Sequence, residues 1–196
     1  MPNPIGRALR HRRNGPETLA VARAELQPAD GSDAEPFALT SPAFAHGGTV
    51  PSAFRGRLFA PNVSPALAWA GVPAGAVELV LVVEDPDAPS LRTPAHLVVA
   101  GIDPALGGLA ENAVSTAAAK PGSASALRFG RGVAGRRGWV GPMPVPSHGP
   151  HLYAFQLFAV DAPLTLADDF GLDDLAAAAA GHVLGVAQLD GYYENP

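Results

Sequence analysis

Cysteine is absent from all 196 residues, which removes disulfides, thiolate catalysis and cysteine-ligated zinc together. A thiol-free chain fits a reducing compartment. No apolar run is long enough to span a bilayer, and the N-terminus lacks the apolar core of a secretory signal. Cytoplasmic residence without stable membrane insertion is therefore the expectation. Basic residues are missing from one whole region: every Lys and Arg lies at or before Arg137, and the chain from Leu152 onward carries seven acids and no base. With a formal net charge of -5, general nucleic-acid binding is not expected. Also missing are an internal repeat, a G-x-S-x-G elbow, a P-loop and a dinucleotide fingerprint. Their absence removes the commoner hydrolase and nucleotide-binding classes.

What is present is turn chemistry and short apolar runs. Gly 22 and Pro 21 make up about a fifth of the chain, against an apolar fraction of 47%. That balance favours a β-rich domain with few long helices, and the length suits one core. Residues 1–36 read as an N-terminal extension in which Arg7, Arg10, Arg12 and Arg13 flank Ala8, Leu9 and His11. A short basic helix closed by Asn14-Gly15-Pro16 follows, expected to form a loosely packed or dimer-contacting arm. Residues 37–196 read as the folded domain. Val77 to Glu84 is continuous, β-branched and apolar, the signature of a central strand buried on both faces. His96 to Ile102 and His151 to Val160 complete the expected sheet core. Residues 105–138 read as a long irregular loop, cationic at Lys120, Arg128, Arg131, Arg136 and Arg137, which suits steering of a small anion. Leu172 to Ala180 is the expected helix, with acids before it and Gly181 after it. Val183 to Leu189 closes the chain as a strand.

Two segments carry the candidate chemistry. Asp85-Pro86-Asp87-Ala88-Pro89 leaves the central strand directly. Residues two apart in extended chain share a side, so both carboxylates are expected to face one cavity. Their repulsion calls for a nearby cation or donors, which His96 or His151 can supply. The second segment runs from Gly141-Pro142-Met143-Pro144 to His151-Leu152-Tyr153. There the His and Tyr again share a face, after a stretch stiff enough to aim backbone amides at an anion. The expected pocket thus joins Asp85, Asp87, His96, His151 and Tyr153. The H-x-x-H spacing of His148 and His151 is a weak metal signal. On a strand or loop it sends the rings to different faces and no third ligand lies near, so neither a metal nor another cofactor is expected.

Together these segments resemble the phosphatidylethanolamine-binding protein family, also called Raf-kinase-inhibitor-like, in its bacterial branch. The resemblance runs from about Phe37 to Tyr193. It is carried by Asn62-Val63-Ser64-Pro65, Leu67-Ala68-Trp69-Ala70-Gly71-Val72-Pro73, Asp85-Pro86-Asp87-Ala88-Pro89, the His96 strand, Gly138-Trp139-Val140-Gly141-Pro142-Met143-Pro144 with His151-Leu152-Tyr153, and Gly181-His182-Val183-Leu184. The resemblance implies a mainly β fold: a large central antiparallel sheet, a smaller second sheet and a few peripheral helices. It also implies a pocket for phosphate-like or carboxylate groups, formed here by Asp85, Asp87, His96, Gly141, Pro142, Pro144, His151 and Tyr153, and a homodimer. In this reading protonated His151, backbone amides at 141–144 and Tyr153 hold the anion while the aspartates orient the imidazoles. Two departures stand out. Leu152 occupies a position where the family carries arginine, removing an ion pair to one of the aspartates. Thr93-Pro94-Ala95 replaces the aromatic residues that commonly precede the His-bearing strand, making the rim less aromatic. The alternatives are a non-covalent acid–base enzyme (hydrolase, lyase or cyclase) using His151, Asp85 and Asp87, and a protein-binding regulator of a kinase or protease.

Overall fold

The computed structural model describes residues 3–28, 36–57, 62–120 and 126–195. Nine strands form two sheets among these residues. The larger follows the order β2 (Gly48–Thr49), β9 (Val183–Tyr193), β8 (His151–Val160), β4 (Glu78–Glu84), β5 (Ala95–Ile102), β7 (Arg128–Phe129). All its pairings are antiparallel except β2 with β9. The smaller sheet is β1 (Ala38–Thr40), β3 (Leu67–Ala70), β6 (Gly108–Leu109), antiparallel throughout. Two helices, α1 (Pro4–Leu9) and α2 (Leu172–Ala179), lie outside the sheets. The fold is thus mainly β with two sheets and few helices, and the three expected core strands are adjacent at its centre.

Strand β4 is buried at every position because it separates two apolar layers. Leu79, Leu81 and Val83 point into the core that includes Trp69, Trp139, Phe155 and Leu157. Val80 and Val82 point the other way, towards Phe158, Leu164, Phe170 and Leu175 of the α2 layer. The alternation follows from strand pleating, and each fully buried Leu or Val contributes roughly 1.5–3 kcal/mol. Alternation also sends Glu84 to the α2 side.

The N-terminal arm differs from expectation. It is packed, because Ala20 and Leu26 join the α2-side core and its backbone is tied to buried side chains. Ala20 N–H donates to Glu84 Oε2 at 2.6 Å and Val21 N–H to Gln156 Oε1 at 2.6 Å. The sequence signal is weak there because the apolar contacts are spread over short 3-10 turns rather than one helical face. Helix α1 lies against the 146–148 loop, where a Cβ on Gly6 would sit 1.9 Å from the Pro146 carbonyl oxygen. Only glycine allows that approach. The stretch expected as a loop is irregular in its described part, apart from β6, β7 and two 3-10 turns; residues 121–125 lie outside the described residues.

Candidate functional site

Asp85 follows β4 directly, and its carboxylate does two jobs. Oδ1 accepts the Asp87 N–H at 3.0 Å, closing the turn that Pro86 stiffens, and Oδ2 meets His151 Nδ1 at 2.8 Å. His151 opens β8, and its other nitrogen, Nε2, meets His148 Nδ1 at 2.8 Å. His148 Nε2 in turn lies 2.8 Å from the carbonyl oxygen of Leu9, the last residue of α1. A carbonyl only accepts, so His148 Nε2 carries a proton. Burial and the neighbouring His151 hold the His148 imidazole below its ordinary range. His148 therefore accepts from His151, and His151 donates from both nitrogens, one proton reaching the Asp85 carboxylate. The chain is an Asp85–His151 ion pair wired to the N-terminal arm.

This arrangement corrects two expectations. The rings of His148 and His151 do not diverge: their centroids are 4.7 Å apart, because positive φ on either side of His148, at Ser147 (φ 64) and Gly149 (φ 107), turns the chain back. Nor does His151 have a nitrogen free to hold an anion, since both are engaged. Here the loop makes a left-handed turn, which brings together rings that the spacing alone would separate.

Asp87 does not share Asp85's surroundings. Its Oδ1 pairs with Arg13 Nη1 at 2.7 Å, and its Oδ2 accepts the Leu152 N–H at 2.8 Å. Arg13 Nη1 also donates to the Pro150 carbonyl at 3.0 Å, so one arm residue pins both stiffened segments. A guanidinium thus does reach an aspartate, though it comes from the arm and not from position 152. Neither Arg13 nor His148 was among the expected site residues. The basic arm and the H-x-x-H spacing were the only signals for them, and neither reveals what the arm packs against.

His96, second residue of β5, donates from Nδ1 to the Val140 carbonyl at 2.6 Å, while Val140 N–H returns a bond to His96 O at 2.9 Å. Its ring stands edge-on to Tyr153 at 5.1 Å. Burial lowers the His96 pKa, and the Asp85 charge opposes that shift. The Gly141 backbone beside the ring also favours its protonated form. Tyr153 is fully buried and its hydroxyl has no hydrogen-bond partner. Burial, followed by the Asp85 carboxylate, pushes the phenol far above its ordinary range, while the Met143 backbone N–H beside it acts the other way. The Gly141–Pro144 segment is held from behind. Gly56 N–H donates to Pro142 O at 2.7 Å, Asn195 Nδ2 to Pro144 O at 3.3 Å, and a Cβ on Gly141 would come 2.0 Å from Phe54 O. Tyr153, His151, Asp85 and His96 are 0%, 1%, 3% and 7% exposed, so the site is almost sealed, with Asp87 and Met143 nearer solvent.

Comparisons with known proteins show the family. The family model described as phosphatidylethanolamine-binding protein matches residues 40–194. A UPF0098 protein of Methanothermobacter thermautotrophicus is 39% identical over 157 residues, covering 80% of this chain and 98% of its own. Mycobacterium tuberculosis LppC, whose name classes it as a candidate lipoprotein, is 37% identical over 162 residues, 83% of this chain and 74% of its own. Among solved structures, the PEBP homolog CT736 of Chlamydia trachomatis superposes with a TM-score of 0.70 at 32% identity, over 84% of this chain and 100% of its own. The E. coli protein YbcL, titled a new member of the mammalian PEBP family, gives a TM-score of 0.73 at 25% identity, over 82% of this chain and 99% of its own. The match spans both Pro-rich segments and leaves most of the arm outside it. This chain belongs to the phosphatidylethanolamine-binding protein family.

Proposed function

We propose that the protein binds a small anion, a phosphate-like or carboxylate group, between His96, Tyr153 and the Gly141–Pro144 segment, and that it does so in the cytoplasm. The observation that carries this reading is the Tyr153 hydroxyl, buried with no hydrogen-bond partner. Leaving such a group unpaired costs about 1–3 kcal/mol, and an anion oxygen accepting from it recovers that cost. The Met143 N–H lies beside the same hydroxyl, and the His96 ring, edge-on to Tyr153, adds positive charge there once protonated. The two aspartates do not repel the ligand, because each carries its own counter-charge, His151 for Asp85 and Arg13 for Asp87. His151 acts through Asp85 and does not touch the anion. With both of its nitrogens engaged it also has no lone pair to take a substrate proton, which favours binding over turnover.

Calorimetric titration with sulfate, whose charge is constant from about pH 5 to pH 8, tests the assignment. An approaching anion raises the burial-lowered His96 pKa, so binding takes up a proton and affinity falls as pH rises. A flat profile removes His96 from the contact. Tyr153→Phe separates function from stability: sulfate affinity drops roughly tenfold or more while folding stability is unchanged or higher by up to about 1 kcal/mol, since no bond is lost in the free protein. Unaltered affinity in that variant refutes the proposal. Phosphoethanolamine against inorganic phosphate then shows whether an attached ammonium group is read.

A further inference from the structure

On the α2 side of the sheet, a groove of about 770 Å³ is bounded by the arm turns, residues 91–95, the loop at 131–134 and the start of α2. It is separate from the Asp85–Tyr153 site and owes nothing to that site's function. Its volume lies within the ordinary range for small-molecule sites. Arg23, Arg92 and Arg131 line it, as do Thr18 and Thr93, whose hydroxyls meet each other, and Glu84.

Glu84 is the informative residue. It is 1% exposed, and both of its hydrogen bonds land on the same oxygen: Ala20 N–H at 2.6 Å and Gln156 Nε2 at 2.9 Å, each to Oε2. Oε1 accepts no hydrogen bond from any described residue, although the side chain lines the groove. Oε1 therefore presents an open acceptor to the groove, one that a ligand donor can fill. The guanidinium groups supply the complementary feature. Arg23 and Arg92 share Asp173 at 2.7 and 4.0 Å, and Arg131 faces Asp169 at 3.6 Å. Those acids are largely exposed, so the pairs are weak and exchange readily for a better anion.

We infer that this groove binds a small phosphorylated polyol, with the phosphate on the arginine rim and a hydroxyl donating to Glu84 Oε1. Guanidinium forks match phosphate geometry. A hydroxyl suits Glu84 better than an ammonium group for two reasons. The charge of Arg23 acts on Glu84 and repels a second cation there, and burial raises the Glu84 pKa, so the ligand group must serve a carboxyl that accepts a proton easily. Thr18 and Thr93 extend the hydroxyl-matching wall.

Amide NMR on the full chain with ribose phosphate, ribose and inorganic phosphate tests the assignment. Ribose phosphate shifts the amides of Thr93, Ala95, Gly132, Ala134 and Gly171, and each half alone binds at least ~10-fold more weakly, because linked groups share one ordering cost. Glu84→Gln keeps an oxygen for Ala20 and Gln156 but turns an NH2 into the groove. At about pH 8 ribose phosphate affinity then falls ~10-fold, because a neutral hydrogen bond replaces one to an ionised carboxylate, while that of phosphate is unchanged. The Arg92 side chain is 91% exposed, so Arg92→Ala leaves the fold intact and weakens both phosphate and ribose phosphate. The inference is overturned if the groove amides do not move, if shifts appear only around Asp85 and His151, or if Arg92→Ala binds like wild type.

Discussion

Glu84 and Asp85 are chain neighbours at the end of one strand, both buried, 1% and 3% exposed, yet the two faces of the sheet treat them differently. Asp85 receives a cationic imidazole on one oxygen and a turn amide on the other. Glu84 receives two neutral donors on one oxygen, and burial pushes its pKa up against their effect. Equal burial therefore does not mean equal cost. A buried carboxylate is tolerated as a charge where a cation and geometry share the load, and is driven towards its neutral form where they do not. The first arrangement belongs to the face with the Pro-stiffened turns, the second to the face built from the arm and α2.

Asp85→Asn should produce the largest effect. Asparagine has one acceptor oxygen where Asp85 uses two, so either the Asp87 N–H or His151 Nδ1 confronts an NH2 group. Removing one partner of a buried pair costs about 3–5 kcal/mol, to be read from urea unfolding midpoints. A loss below about 1 kcal/mol would mean that the ion pair is not what makes burial of Asp85 tolerable. A smaller change is expected from Arg13→Ala, about 1 kcal/mol, since the pair with Asp87 is partly exposed. Arg10→Ala is the control: its contact to Ser147 O is exposed and 3.5 Å long, so stability should stay within about 0.5 kcal/mol of wild type. Equal effects for the two arginines would show that the arm is not anchored at Asp87.

The face that resembles its family was the more legible of the two. β4, β5 and β8 announce themselves as apolar runs between turns, and Asp85, His96, His151 and Tyr153 stand at their ends, so both the fold and the convergence of these side chains could be read there. What could not be read was connectivity. His148 joins the site only because Ser147 and Gly149 adopt positive φ, a feature that residue spacing does not encode. Arg13 joins because the arm returns to the Pro86 carbonyl, where the Asn14 and Gly15 N–H groups dock at 2.8 and 3.2 Å. Such contacts, more than 70 residues apart in sequence, have no local signature. The arm's core residues Ala20 and Leu26 lie on separate short turns, which leaves no periodic stripe to detect.

A pH-dependent difference tests the Glu84 half directly. In the unfolded chain this carboxyl titrates near its ordinary value of 4.5, and burial raises it in the folded state. The folded protein therefore binds the proton more tightly, and stability falls as pH rises from 4.5 through the raised folded value, then levels off. Glu84→Gln cannot ionise and escapes that loss, while its amide oxygen still accepts from Ala20 and Gln156. Relative to wild type the variant should be near neutral at about pH 4 and more stable at about pH 8, with the gain appearing between them. Every other titrating group is common to both proteins, so the difference between their unfolding midpoints isolates Glu84. A difference that is the same at both pH values would mean that Glu84 pays no charge penalty when buried, and its contrast with Asp85 would collapse.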